Sequence, residues 1–351
     1  MITVFTPSFA DEADTNAQNL TVKEIVARLS PEEFRIVMLH ETAPDPRIAV
    51  RKNTKLLHWN RRGNTLRILL HCLADVPDVY FFPREGPLDL AFLALRRRFA
   101  LKTAVVTYVV SGGLYNPEPP RPALARNVRE ADSVFGNCQF LSKLVQDRMG
   151  VEAGVRYDGI DCRFFFAAEK TASTHNLKVL FAGSLRPYKR ADLVIRQAKR
   201  WPKIEFRIAG RGEEEQKCRN LAARLACANV TFVGHLSPAQ LGEEMRQADI
   251  FLLPSVVEGH PQVLGQAAAC GLPSIVMNLY RPEFVIDGKT GFAVSSDDEL
   301  AEKLDLLINQ PELRRSMGEA AIAHSRNFNW DRIALQWQEA FEKAVMKRRQ
   351  R

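Results

Sequence analysis

The chain has 351 residues, 46% of them hydrophobic and 26% charged, which describes a soluble globular protein and excludes a disordered one. That length exceeds one ordinary core, so two domains of roughly 150 residues each are expected. The formal net charge is +8, but no recognisable nucleic-acid module accompanies it, and nucleic acid is not expected as a partner.

The positive charge is unevenly placed. Arg47, Arg51, Lys52, Lys55, Arg61, Arg62 and Arg67 frame His58 and Trp59 with no acidic residue among 47–67, Arg96 to Arg98 form a second cluster, and the chain ends Lys347-Arg-Arg-Gln-Arg351. Such runs serve as solvated faces, or as a surface for anionic lipid head groups or an anionic acceptor. No apolar run reaches the roughly 18 residues of a membrane span. Met1 to Thr6 enter a strand pattern directly, without the basic start and apolar stretch of a signal peptide. The six cysteines form no Cys-x-x-Cys pair and read as reduced thiols. A cytoplasmic protein is expected, or one peripheral on the inner face of a membrane. The seven histidines are scattered without ligand spacing, so no metal site is expected.

In chain order, strand-like runs in the first half are Ile2–Thr6, Phe34–Leu39, Lys55–Trp59, Val79–Phe82, Thr103–Val110 and Ser133–Gly136. Helical patterns fall between them at Ala17–Leu29, Thr65–Leu73, Leu88–Phe99, Ala123–Glu130 and Gln139–Met149. The polar segment Ala167–Asn176 reads as a linker. Beyond it, strands at Lys178–Ala182, Glu205–Ala209, Val230–Val233, Ile250–Leu253, Ser274–Met277 and Gly291–Val294 alternate with seven helical patterns, the last at Trp330–Lys347. Such alternation implies parallel sheets covered on both faces, an α/β architecture.

The most informative segment follows the run Asp249 to Leu253: Ser255-Val-Val-Glu-Gly-His-Pro-Gln-Val-Leu-Gly-Gln-Ala-Ala-Ala-Cys-Gly-Leu272, then Pro273. Glu258 and Gly259 form a tight loop, and Pro261 stands where a helix starts, the position that loses nothing by lacking an N–H. Gly271 and Pro273 stop that helix. A strand, a loop carboxylate and the free N–H groups of a helix start together attract a phosphate or a polyhydroxyl ligand. Seven residues separate Glu258 from Gln266, about two helical turns, so the two side chains can touch different parts of one extended ligand.

This segment resembles the donor signature of the retaining glycosyltransferases of family four (glycosyl transferases group 1): Glu, seven residues, Glu, then Ala-x-Ala-x-Gly-x-Pro. The first Glu is Glu258; the second is replaced by Gln266. The resemblance covers nearly all of 176–346 and is weaker over 1–165. It implies the GT-B fold, two Rossmann-like parallel-sheet domains facing across a cleft: an acceptor-side domain at 1–166, a nucleotide-sugar-binding domain at 167–327, and a helix at 328–351 crossing back to the first domain. Tyr157-Asp-Gly-Ile-Asp-Cys-Arg-Phe164 resembles the family's Asn-Gly-Val-Asp-x-x-x-Phe turn, with Asp158 in place of Asn.

The resemblance also implies roles. In Phe181-Ala-Gly-Ser-Leu-Arg-Pro-Tyr-Lys-Arg190, Lys189 matches the family's donor-phosphate lysine. The family commonly has Arg directly after the glycine Gly183, whereas this chain has Ser184 there and Arg186 two residues later. Charge that accumulates on a departing diphosphate needs such cations and N–H donors. Gly210 and Gly212, a Gly-x-Gly turn weak on its own, and the turn before His235 and Leu236 match the family's nucleobase-side turns. Glu258 would accept hydrogen bonds from hydroxyls of the transferred sugar, with Gly259, His260, Pro261 and the N–H groups of Gln262 and Val263 beside the donor phosphate. Gln266 would hold the ribose through its carbonyl oxygen, without the charge. His260, at the family's variable aromatic position, reads as a loop-packing residue more than a base. Glu283 matches a further family glutamate.

The first half departs most. It has no His at the end of the Thr103–Val110 strand, where relatives often carry one. Asn16 either caps the following helix or, with Gln18 and Asn19, lines the acceptor side, and Gly112-Gly113 reads as a flexible loop. The expected activity is transfer of a hexose from a nucleotide diphosphate sugar to a hydroxyl of a sugar, lipid-linked or small-molecule acceptor, with no cofactor and no metal. Two competitors stand beside it: a nucleotide-sugar 2-epimerase on the same architecture, and a non-catalytic sugar-nucleotide-binding partner.

Overall fold

The structure, a computed structural model, describes residues 1–13, 16–60, 64–83, 86–110, 121–168 and 177–350. The chain divides into two compact units: unit 1, Met1–Asp158 with the segment from Trp330 on, and unit 2, Gly159–Asn329. Residues 159–166, which the sequence assigned to the first domain, pack with unit 2. Ile160 donates its N–H to the Phe328 carbonyl at 2.7 Å, Phe165 is buried, and the Arg246 guanidinium holds the Phe164 carbonyl at 2.9 Å. Most of the expected linker lies outside the described residues, as do Gly112 and Gly113.

Unit 1 runs β1 (Ile2–Phe9), α1 (Ala17–Val26), β2 (Phe34–His40), α2 (Pro46–Ala49), β3 (Thr54–His58), α3 (Thr65–Ala74), β4 (Val79–Phe81), α4 (Pro87–Arg98), β5 (Ala104–Val109), α5 (Pro122–Glu130), β6 (Ser133–Gly136), α6 (Gln139–Met149) and β7 (Gly154–Val155). Its strands lie in the order β3-β2-β1-β4-β5-β6-β7, all parallel. Such a sheet buries both faces, which is why its strands read as near-continuous apolar runs. The two-residue β7 and the four-residue α2 are too short to carry a periodic signal. β1 continues past Thr6, where the sequence ended it, and its register with β2 shifts between Thr6 and Phe9. Pro7 has no N–H to give the ladder, and pairing resumes once it is passed.

Unit 2 contains β8 (Lys178–Ala182), α7 (Ala191–Arg200), β9 (Glu205–Ala209), α8 (Glu215–Arg224), β10 (Val230–Gly234), α9 (Pro238–Gln247), β11 (Ile250–Leu253), α10 (Gln262–Ala269), β12 (Ser274–Met277), β13 (Gly291–Val294), α11 (Asp297–Asn309) and α12 (Pro311–Ser325). Its sheet order is β10-β9-β8-β11-β12-β13. Numbered within each unit, both sheets place the third, second, first, fourth, fifth and sixth strands side by side, the Rossmann order. In each, the order reverses beside the first strand, and ligands of such sheets bind outside the strand C-termini at that switch point. Both units are therefore Rossmann-like.

The last helix, α13 (Trp330–Gln350), follows unit 2 in the chain yet supplies core to unit 1. Trp337 is fully buried, with its ring centroid 4.9 Å from those of Phe81 and Tyr108 and 5.4 Å from that of Phe135. Asp158, the last residue of unit 1's first segment, is buried and accepts from Thr21 Oγ1 at 3.0 Å, Tyr108 Oη at 3.0 Å and Asn137 Nδ2 at 3.2 Å. Three donors converge there, so a carboxylate fits where the family's asparagine would bring donors of its own.

Replacing a buried tryptophan by alanine costs about 3–5 kcal/mol. Trp337→Ala is expected to lower unit 1's unfolding midpoint in urea while leaving unit 2's transition in place, read by hydrogen exchange resolved along the chain. Equal loss in both units would count against α13 belonging to unit 1 alone.

Candidate functional site

The site in unit 2 is built on three turns, one after each of β8, β9 and β10. Gly183 donates its N–H to the Ala209 carbonyl at 3.0 Å, Leu185 to Arg211 at 2.9 Å, and Gly210 to Gly234 at 2.7 Å. The turns after β8 and β9 lie so close that no side chain fits at Gly210 or Gly212. A Cβ on Gly210, whose φ is +136°, would stand 1.8 Å from the Gly183 carbonyl oxygen, and one on Gly212 would stand 2.3 Å from that of Leu185. Gly-x-Gly is here a packing requirement between backbones.

After Gly183 the chain enters a single 3₁₀ turn, Pro187–Lys189, and Arg190 then adopts the left-handed conformation at φ 53°. Its guanidinium grips the Asp297 carboxylate in two bonds of 2.8 and 2.5 Å. That clamp raises the Arg190 pKa, through the hydrogen bond to Asp297 first. The sequence analysis missed both residues, because a strained non-glycine φ leaves no compositional signal. The clamp fixes the turn that presents Lys189. On the other side of the switch point, the loop after β11 is tied to the same turn by Val256 N–H donating to the Tyr188 carbonyl at 2.9 Å. The result brings Lys189 Nζ to 2.5 Å from Glu258 Oε1, with only 12% and 10% of the two side chains exposed. These two residues, 69 apart in sequence, share one place.

The remaining expected residues distribute as follows. Gly183 and Gly259 are half-buried, Ser184 and His235 are exposed, Leu236 is half-buried, and Arg186 is exposed with its carbonyl accepting from Lys189 N–H at 3.0 Å. Pro261 is the N-cap of α10 and the helix begins one residue later than expected, at Gln262. Gln262, Val263 and Gln266 are half-buried, and as first-turn residues the first two have no intrahelical acceptor for their N–H groups.

The His260 side chain packs inward. Its ring stacks on Phe284 at 4.0 Å and leans on Phe328 at 5.7 Å, and burial pushes its pKa down to about 3. It holds the loop shut against the core. Tyr280, which sequence reasoning missed, is buried just after β12, and its hydroxyl has no hydrogen-bond partner among the described residues. Burial first, and then the negative charge of Glu258, pushes that phenol well above its ordinary pKa, so Tyr280 stands near the carboxylate. The signal available was its position after a strand beside the switch point.

The match between sequence and family falls on this same unit. Residues 164–324 match glycosyl transferases group 1. The relatives include an uncharacterised glycosyltransferase of Haemophilus influenzae, 32% identical over 48% of this chain and 50% of that protein. A D-inositol 3-phosphate glycosyltransferase of Kribbella flavida is 28% identical over 62% of this chain and 58% of its own length. The chain thus spans about half of the curated relatives it matches. Among solved structures, sucrose-phosphate synthase from Thermosynechococcus elongatus superposes with a TM-score of 0.78 at 16% identity, over 98% of this chain and 99% of that one. Anabaena HepE, solved in complex with UDP and glucose, gives 0.75 at 17% identity over 98% and 100%. This likeness shows the fold, GT-B.

Unit 1 has a cavity of about 620 Å³ at its own switch point, among the loops that follow β1, β2, β3 and β4. Asn16 caps α1, one of its two readings, and also lines this cavity. Its side chain accepts from the N–H groups of Gln18 and Asn19 at 3.0 and 3.4 Å, capping α1, and it lines the cavity. Asn19 lines it too, buried and accepting from Phe9 N–H at 3.3 Å. Gln18 is not among the lining residues.

The buried neutral His260 makes a testable contribution to acid sensitivity. Its pKa, ordinarily about 6.5, is held near 3 in the folded chain. As pH falls below 6.5 the unfolded chain therefore binds a proton that the native chain refuses, and stability falls with acidification. Between pH 7 and 5 the loss is about 2 kcal/mol. His260→Phe should remove that part of the pH dependence in urea unfolding; parallel profiles for the two proteins would contradict it.

Proposed function

We propose that the protein is a retaining glycosyltransferase that moves a hexose from a nucleoside diphosphate sugar to an acceptor hydroxyl. The observation that carries this reading is the Lys189–Glu258 pair at 2.5 Å, a cation and a carboxylate joined at the switch point of a sheet whose β9 turn closes tightly through Gly210 and Gly212. In the ligand-free chain each group is the other's partner. A donor would replace that bond with two: its diphosphate oxygens on Lys189, and its hexose hydroxyls on Glu258, both charge-assisted. The N–H groups of Gln262 and Val263 add dipole stabilisation to the phosphate, and exposed Arg186 supplies a second cation.

In the reaction the bond between the hexose C1 and the diphosphate oxygen breaks and the electron pair leaves on the diphosphate. The acceptor oxygen forms the new bond to C1 on the same face, and its proton passes to the departing phosphate oxygen. Lys189 gains interaction energy as charge grows there, which is what lowers a barrier. The acceptor side belongs to unit 1, and no metal ion takes part. The UDP and UDP-glucose complexes of Anabaena HepE support a uridine diphosphate hexose as the first donor to try.

Incubation with labelled UDP-hexoses and an acceptor panel tests the proposal. Transfer should occur with the donor's anomeric configuration kept, read by NMR of the product, and should persist in EDTA. Interconversion of the donor sugar without transfer would indicate an epimerase, and binding alone a non-catalytic partner. Lys189→Ala is expected to lower kcat by about 10²–10³; a change confined to KM would place Lys189 outside the leaving-group site. Gln266→Glu should tighten nucleotide binding measured by calorimetry, since a carboxylate accepts the ribose diol with charge; unchanged affinity would remove Gln266 from the ribose.

A further inference from the structure

Tyr280 belongs to the site of unit 2, yet the proposed reaction gives it nothing to do. β11 and β12 lie side by side, with Leu253 level with Val276. The loop that carries Glu258 and the loop that carries Tyr280 therefore leave the sheet as neighbours. The second loop is fixed at three places. Asn278 donates its N–H to the Val294 carbonyl at 2.8 Å, and Arg281 adopts the left-handed conformation at φ 50°. Phe284 stacks on His260, two residues after Glu258, with ring centroids 4.0 Å apart. Between these points Leu279 is 55% exposed and Tyr280 only 2%, so the chain turns the phenol inward. Its hydroxyl nevertheless has no hydrogen-bond partner among the described residues. A buried hydroxyl without a partner costs free energy, and phenylalanine would fill the same space without that cost.

The neighbouring carboxylate must change partners when a donor arrives. In the free chain Glu258 Oε1 holds Lys189 Nζ at 2.5 Å. A diphosphate draws that ammonium away. The carboxylate, with 10% of its side chain exposed, is then a nearly desolvated charge short of donors, a state that burial penalises strongly. Hexose hydroxyls donate to it from the ligand side. A fixed donor from the protein side completes its set of partners. A phenol suits that task, since it is neutral, carries one O–H and forms a charge-assisted bond to a carboxylate. Burial, and then the charge of Glu258, hold this phenol protonated, so it stays a donor and does not become a second anion.

We infer that Tyr280 is a positioning residue for the donor: when Lys189 turns to the diphosphate, the Tyr280 hydroxyl takes over as a donor to Glu258 and fixes the carboxylate that receives the hexose. The inference rests on the transferase reading and adds a residue whose hydrogen bond forms only in the loaded site. The free chain gains no bond from this hydroxyl, so its stability is indifferent to it. The loaded chain depends on it.

Calorimetry with UDP-glucose and GDP-mannose on the full chain, beside thermal unfolding of the free chain, tests this. Tyr280→Phe should unfold at the wild-type temperature or above it. It should bind the preferred nucleotide sugar about tenfold more weakly, the worth of a hydrogen bond to a charged group. In a Glu258→Ala background the same substitution should change affinity by about twofold or less, because its acceptor is gone. In a Glu258→Gln background, which keeps the size of the side chain, the effect should shrink to about threefold, the worth of a neutral bond. A lower midpoint or an unchanged affinity for Tyr280→Phe, or equal losses with and without the Glu258 carboxylate, overturns the inference; transfer by the wild type would then leave the transferase reading standing. The expected affinities without transfer from either donor would do the opposite. A wild type that binds neither nucleotide sugar overturns both.

Discussion

A lysine ammonium and a glutamate carboxylate that are nearly withdrawn from water stabilise a fold only if they meet, because each alone carries a desolvation penalty of several kcal/mol. In unit 2 the meeting of Lys189 and Glu258 depends on backbone arranged elsewhere. β8 and β11 must be neighbours for the loops after them to converge, and Val256 must hang from the Tyr188 carbonyl. Arg190 must sit at a left-handed φ under the grip of Asp297. The turn after β9 must have glycine at 210 and 212 so that the turn after β8 can lie against it. Burying such a pair is weak support for stability.

Much of this was legible in sequence because the periodicities involved are strong. Buried parallel strands of four or five apolar residues such as Ile250–Leu253 and Ser274–Met277 emerge where expected, and the loop at Glu258 was recognised from Gly259, Pro261 and Gly271 as punctuation. What escaped detection was tertiary. A left-handed arginine, an acid 107 residues from its partner and a buried tyrosine have no local pattern. His260, read from sequence as a loop-packing residue more than a base, stacks on Phe284 in the core. Asp158 shows why a motif departure need not be functional, since its three donors come from side chains far apart in the chain.

The charge tells a similar story. Read along the chain, Arg96 to Arg98 and the basic tail are a solvated face or a surface for an anion. In the fold most of them also bond within the chain, while Arg97, Arg98, Lys347 and Arg349 stay exposed. Arg96 is buried on Asp132 and the Thr103 carbonyl, and Arg97 meets Glu130. Lys347, Arg348 and Arg349 fasten the end of α13 to the Asp132 carbonyl, the Leu101 carbonyl and Asp78. Arg51 ties the Leu29 and Phe34 carbonyls, and Arg47 answers Asp45 and Glu24. A helix that arrives from beyond another domain needs such fasteners, because chain connectivity alone does not hold it to the sheet it completes. The net charge of +8 is therefore poor ground for inferring a partner.

One strand order, used twice, yields two unlike pockets. In both units the switch point opens beside the first strand, and the sheet dictates only that loops converge there. What they carry is free to differ, since fold does not determine chemistry. In unit 2 the loops bring a cation, a carboxylate and unpaired helix N–H groups, a set that suits a molecule with a charged end and a hydroxylated end. In unit 1 they bring Asp11, Glu41 and Asp89 into one cavity wall with Trp59.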